Sequence, residues 1–283
     1  MGQTPGEGTH LHGRGRNPAD RRSLQEILGR HSLRADKRLG QHFLVSTRVV
    51  ESIVARASGA KGVLEIGPGA GVLTAPLCDT AERVVAVELD RRMVGVLAEV
   101  APLAEVVEAD VLKTDVASIL QRLPEPRCVV SNMPYNITGP LLGKVTECRR
   151  LFRNAVLMMQ KEVGDRVLAR AGSSERGSLS VCMQLQFAIE KVCDAPAGAF
   201  YPPPKVDSIV LEFVPIEQSF DVDRVIGVVR TGFTQPRKTL ANNLSSRLAR
   251  EKVEALLTSM KLDVRVRPHQ LTNEQWVALA ESL

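Results

Sequence analysis

Hydrophobic positions along the chain form short unbroken runs that alternate with stretches of helical period. Val63, Leu64 and Ile66 frame a buried strand over 63–66 that runs into Gly67-Pro68-Gly69-Ala70-Gly71. A helix through Leu77 follows. Then come a strand over 84–87 ending at Glu88, a helix over 91–99, a strand over 105–109 ending at Asp110 and a helix over 116–122. A strand over 128–131 ends at Asn132, and a helix over 140–148 and a strand over 155–159 complete the alternation. Ahead of it lie a helix over 47–57 and a short apolar signal at Leu24, Ile27 and Leu28. Uniformly apolar strands separated by helices predict an α/β fold whose parallel sheet is covered on both faces. Two later runs, 179–190 and 208–214, read as further strands of that sheet. After Pro215 only helical periods remain, over 223–233, 238–250, 251–260 and 273–283. The predicted organisation is a basic tail over 1–33, disordered at least to 22, a sheet domain over 34–215 and a small all-helical domain over 216–283.

Composition narrows the class without naming it. Of 283 residues, 44% are hydrophobic and 24% charged, an ordinary globular balance that excludes disordered and collagen-like chains. No run reaches the length of a membrane span and no signal-peptide core is present, so we expect a cytoplasmic protein with no membrane partner. The five cysteines form no C-x-x-C pair and read as reduced thiols. Net charge is +5, but its distribution is uneven: +4 over residues 1–40, −2 over 41–220 and +3 over 221–283. Basic ends around a neutral middle suit contact with nucleic-acid phosphates through the extremities.

The strand ends carry the chemistry. Gly67, Gly69 and Gly71 allow a tight turn and close approach of a ligand at the carboxyl end of a parallel sheet. A dinucleotide pattern needs its third glycine at position 72, where Val72 stands. Glu88 is placed to accept from two ribose hydroxyls, and Asp110 from an adenine amino group. Asn132-Met133-Pro134-Tyr135 closes the fourth strand. An exocyclic amine is a weak nucleophile because its lone pair is conjugated into the ring. Acceptors at Asn132 and at the backbone near Met133 or Pro134 would take its hydrogens, and Tyr135 would stack on an extruded base. Neither a metal nor a general base is required.

The G-x-G-x-G turn resembles S-adenosylmethionine-dependent methyltransferases with a Rossmann-like sheet domain, and the tetrad resembles those acting on amino groups. Gly40-Gln41-His42-Phe43-Leu44, Glu65-Ile66-Gly67-Pro68-Gly69, Asn132-Met133-Pro134-Tyr135-Asn136-Ile137, Met159-Gln160-Lys161-Glu162-Val163, residues 200–208 and residues 233–240 together resemble the KsgA-type small-subunit (16S) ribosomal RNA adenine dimethyltransferases. The resemblance runs in order from residue 36 to about 280. It implies transfer of four methyl groups from S-adenosyl-L-methionine to N6 of two adjacent adenosines in the 3′-terminal hairpin of 16S rRNA, with a role in small-subunit biogenesis. It also implies cofactor contacts at His42, Leu44, Gly67, Gly69, Glu88, Asp110 and Asn132. Asn132, Pro134 and Tyr135 would hold the target adenine, with Phe200 as a second stacking wall, and the helical domain would bind RNA. Four positions depart from the family pattern: His42 for a frequent Asn, Met133 for Leu, Arg176 for Tyr and Pro236 within a frequent arginine pair.

Other readings compete. A large-subunit rRNA methyltransferase of the macrolide-resistance type shares the fold and tetrad, but residues 202–208 and 233–240 favour the small subunit. A DNA adenine methyltransferase lacks support because no target-recognition insertion separates the motifs, and the Val72 spacing disfavours a nicotinamide oxidoreductase. An assembly factor that checks immature subunits is compatible with the leading reading. We expect a monomer.

Overall fold

The computed structural model describes residues 19–36, 40–246 and 248–283. Its elements in chain order are α1 Arg21–Arg30, β1 Phe43–Leu44, α2 Thr47–Ala57, β2 Gly62–Ile66, α3 Thr74–Cys78, β3 Arg83–Glu88, α4 Arg91–Val100, β4 Glu105–Glu108, α5 Val116–Gln121, β5 Arg127–Asn132, α6 Thr138–Glu147, β6 Asn154–Gln160, α7 Lys161–Leu168, α8 Ser178–Gln184, β7 Phe187–Ala195, β8 Phe200–Tyr201, β9 Ser208–Pro215, α9 Val222–Gly232, α10 Leu240–Leu244, α11 Arg250–Ser259 and α12 Asn273–Glu281.

Seven strands form one sheet in the order β4-β3-β2-β5-β6-β9-β7. The pairs from β4 to β6 are parallel, whereas β9 runs antiparallel to both β6 and β7. Strand alternation explains the unbroken apolar runs: Leu64 and Ile66 of β2 enter the core on one face, and Val63 enters the core on the other. Both faces exclude water, so both residue parities must be apolar. The order in which successive strands are added reverses between β2 and β5, which are themselves parallel, and ligands bind such sheets at the carboxyl ends of strands beside that point.

The expected strand over 179–190 is corrected. Its first part is the helix α8, whose first turn Ser180 closes by accepting from the Gly177 N–H at 3.0 Å, and β7 begins only at Phe187. Val181 and Leu185 face the C-terminal helices while Met183 faces the sheet core. A helix wedged between two cores is apolar on two sides, which a short run cannot distinguish from a buried strand. The expected helix over 238–250 shortens to α10, started by the Thr239 side chain accepting from Asn242 N–H at 3.3 Å.

The tail is corrected as well. Residues 1–18 lie outside the described residues, but α1 occupies 21–30, with Asp20 accepting from the N–H groups of Arg22 and Ser23. Leu24, Ile27 and Leu28 are buried against Phe43, Ala70, Met93 and Val96. Arg30 and His31 pair with Glu99 of α4 and hold the end of α1 in place. The C-terminal helices gather around Trp276, which is fully buried and stacked on Phe233 with ring centroids 5.6 Å apart. Among the described residues no helix is long and apolar enough to cross a membrane.

Candidate functional site

A cleft opens at the carboxyl ends of β2 to β5, lined by residues 40–44 and by the loops after these strands. Its floor is the glycine turn. Gly67 and Gly69 have φ of +70° and +54°, a region costly for any residue with a Cβ. A Cβ on Gly69 would also lie 3.1 Å from the Phe43 ring. The turn is therefore held close to β1, and without side chains it lets a ligand approach the backbone closely.

Glu88 ends β3 and is buried, with Oε2 accepting from Gly69 N–H at 2.9 Å and Oε1 from Asp90 N–H at 2.7 Å. Burial raises its pKa, and these backbone donors oppose the rise. A carboxylate with about four acceptor directions keeps lone pairs for two further hydroxyls. Asp110 lies two residues beyond β4, where Oδ1 accepts from Leu112 N–H at 3.0 Å. Between these acids Leu89, 57% exposed, faces the cleft with Ala109 and Val111 and forms an apolar slot for a flat ring.

Asn132 is the last residue of β5, and its Nδ2 donates to the His42 carbonyl at 3.2 Å. Tyr135 is half-buried, with its hydroxyl 2.8 Å from Ser208 Oγ and its ring stacked on His42, centroids 5.8 Å apart at 22°. Burial raises the Tyr135 pKa, so its hydroxyl stays protonated. Pro134 lines the cleft between them. His42, Leu44, Gly67, Gly69, Glu88, Asp110, Asn132, Pro134 and Tyr135 all line this one cavity.

Phe200 does not. It is 3% exposed, pairs with Leu44 across the β1–β8 ribbon and packs into the core beneath the sheet. The ring expected as a second stacking wall instead anchors the strand that delivers residues 42–44.

Three further residues shape the site. Gln41 donates to Asp90 Oδ2 at 2.7 Å and ties the 40–44 segment to the start of α4. Asp90 also accepts from Arg92, whose hydrogen bonds hold its carboxyl below the usual range. Glu65 is 1% exposed and lines the cleft, and its Oε2 has no partner. An acidic residue just before the glycine turn signalled Glu65 in the sequence, whereas nothing local signalled the Gln41–Asp90 contact. A glycine turn without side chains, a buried carboxylate with spare lone pairs, an apolar slot and an orphaned acid suit a ligand combining a ribose, a flat base and a cationic amino-acid tail.

Residues 32–283 match the family described as ribosomal RNA adenine dimethylase. The ribosomal RNA small subunit methyltransferase A of Bacillus mycoides is 38% identical over 276 residues, covering 92% of this chain and 94% of that protein. The protein of the same name from Thermosynechococcus vestitus is 41% identical over 265 residues, covering 89% and 97%. Among solved structures, a dimethyladenosine transferase from Plasmodium falciparum superposes with TM-score 0.72 at 28% identity, covering 84% of this chain and 96% of that one. The 23S rRNA methyltransferase ErmE superposes with TM-score 0.67 at 28% identity, covering 85% and 99%. A match that spans the glycine turn, the tetrad and the C-terminal helices together leaves one assignment: the chain belongs to the ribosomal RNA adenine dimethylase family.

Proposed function

We propose that the chain dimethylates N6 of two adjacent adenosines in the 3′-terminal hairpin of 16S rRNA within the small ribosomal subunit, acting in subunit biogenesis. The observation that carries this reading is the tetrad 132–135 at the end of β5, opening into the same cleft as Glu88, Asp110 and the glycine turn. S-adenosyl-L-methionine, when bound, supplies an electrophilic methyl group. Glu88 would hold its ribose and Asp110 its adenine amino group, and the glycine turn at 67–69 would let its tail lie close to the backbone, with Leu44 and His42 closing the near side.

The chain's own work is positioning. With its Nδ2 engaged by the His42 carbonyl, Asn132 turns Oδ1 outward as an acceptor for a target amino hydrogen. The backbone carbonyl at Pro134 would take the second hydrogen, directing the N6 lone pair out of the base plane. Tyr135 would stack on the extruded base, its ring held by Ser208. Fixed acceptors and an aligned approach supply several kcal/mol without a covalent intermediate. Exposed Arg237 and Lys238 in the α9–α10 loop would grip RNA phosphate, which supports an RNA-binding role for the helical segment after residue 216.

The test offers unmethylated small subunits, naked 16S rRNA, large-subunit rRNA and duplex DNA, and identifies the modified nucleosides by mass spectrometry. Dimethyladenosine at two adjacent small-subunit positions supports the proposal, and product in large-subunit rRNA replaces it with the specificity in ErmE's name. Asn132→Ala should lower methyl transfer by about 10²–10³-fold, the scale of removing one fixed transition-state partner. Unchanged turnover would refute the role given to that side chain.

A further inference from the structure

We infer that His42, besides lining the cofactor side of the cleft, is a positioning residue for the target base, acting through Tyr135 and Asn132. The inference rests on the adenine-methylating reading of the cleft and deepens it. His42 touches both reactive members of the tetrad by different parts of itself. Its imidazole lies against Tyr135 at 5.8 Å and 22°, an offset stack. Its backbone carbonyl accepts from Asn132 Nδ2 at 3.2 Å.

Each contact removes one freedom. A tyrosine ring on a strand-end loop swings about its first side-chain torsion and tips about its second. The Ser208 hydroxyl at 2.8 Å holds the far end of Tyr135, and the imidazole holds one face. The opposite face would then serve the target base as a platform at a preset angle. For Asn132, the amide must present oxygen to an amino group, and a half-turn would present a second donor instead. Donation to the His42 carbonyl makes that half-turn unfavourable, because it would set two oxygens against each other.

His42 is itself held from behind. Its Nδ1 donates to the Pro202 carbonyl at 2.7 Å, and the next two residues pair in register with Tyr201 and Phe200. Phe200, buried in the core, thus fixes β1, the strand that His42 immediately precedes. The path from core to base runs through Phe200, Leu44, His42 and Tyr135. An Asn at position 42 would keep the carbonyl contact but carry no ring for Tyr135, so this chain has a buttress that the commoner residue lacks.

The test compares His42→Ala, which removes the ring, with His42→Phe, which keeps a ring and loses only the Pro202 bond. Cofactor affinity is read by calorimetry with S-adenosylmethionine, turnover by methyl transfer to small subunits, and Tyr135 itself by fluorine NMR of 3-fluorotyrosine-labelled protein. The chain has two tyrosines, so two resonances appear, assigned with Tyr201→Phe. His42→Ala should shift the Tyr135 resonance and lower kcat by about 30–100-fold, the scale of a small misplacement of reacting groups. Cofactor affinity should stay within about threefold, under 1 kcal/mol. His42→Phe should restore the resonance and bring kcat to within about fivefold of the parent, roughly 1 kcal/mol. Equal loss in both variants, or cofactor affinity falling in step with turnover, would overturn the inference and make His42 a cofactor ligand. Should the parent protein methylate no adenosine, the functional reading fails separately. An unmoved Tyr135 resonance in His42→Ala would then still overturn the buttress.

Discussion

Glu65 illustrates how a single residue reads differently in sequence and in space. In the sequence it is the polar member of a strand, but in the fold it is sealed beside the cleft. Burial foremost, with the charge of Glu88 adding, raises its pKa from 4.5 to about 8. The native protein therefore keeps the neutral acid where the unfolded chain has already ionised. The stability this contributes is fully present below pH 4.5 and is lost as pH rises toward about 8. Glu65→Gln, which cannot ionise, should remove a fall of at most about 1.4 kcal/mol per pH unit across that window. Thermal unfolding of both proteins from about pH 5 to 8 checks this, and parallel curves would show Glu65 ionised in the native state. Residues at strand ends were otherwise legible: Glu88, Asp110 and Asn132 stand where a parallel sheet presents ligands. Phe200 misled because an aromatic beside Tyr201 and three prolines resembles a surface wall, while the pairing of Leu44 with Phe200 that buries it is not local.

Elements were legible where their period was unambiguous and flanked by caps. The Asp90 and Asp115 side chains start α4 and α5 as acceptors, and both helices lie within a residue or two of their predicted bounds. The segment around α8 was misread because its two faces meet different cores. At the domain's far end, α9 and α12 cross at Gly232, where an added Cβ would overlap the Trp276 ring. The indole is fully buried and already stacked on Phe233, so it has nowhere to retreat. Gly232→Ala should destabilise the C-terminal helices by about 1–3 kcal/mol, the usual cost of overpacking. Cofactor affinity should be unaffected, because the cleft is built from β1 to β5 and their loops. Chemical denaturation with calorimetry as the second readout decides it, and an undiminished midpoint would show that the crossing can relax.

At the scale of the whole molecule, charge governs the approach to RNA. If the basic helical end grips phosphates, affinity for small-subunit RNA should fall steeply with salt, by about 10³-fold between roughly 50 and 200 mM if about six phosphates are neutralised. Arg237→Glu with Lys238→Glu should flatten the slope of log affinity against log salt by about 0.7–0.9 for each phosphate no longer neutralised, leaving cofactor affinity intact. An unchanged slope would place the grip elsewhere. The alternation of apolar runs and helical periods already dictated a sheet covered on both faces, because only residues hidden on both sides can be apolar at every position. Chemistry at the strand ends followed from the same logic, since side chains at the ends of adjacent parallel strands must converge. Contacts between segments distant in sequence emerged only in the folded chain. The docking of α1 on Phe43 and Ala70, the burial of Phe200, the Gln41–Asp90 tie and the hold of His42 on Tyr135 and Asn132 are of this kind. Each depends on which surfaces meet once the sheet has closed, and no local pattern of residues encodes a meeting such as that of Gln41 with Asp90, 49 positions apart.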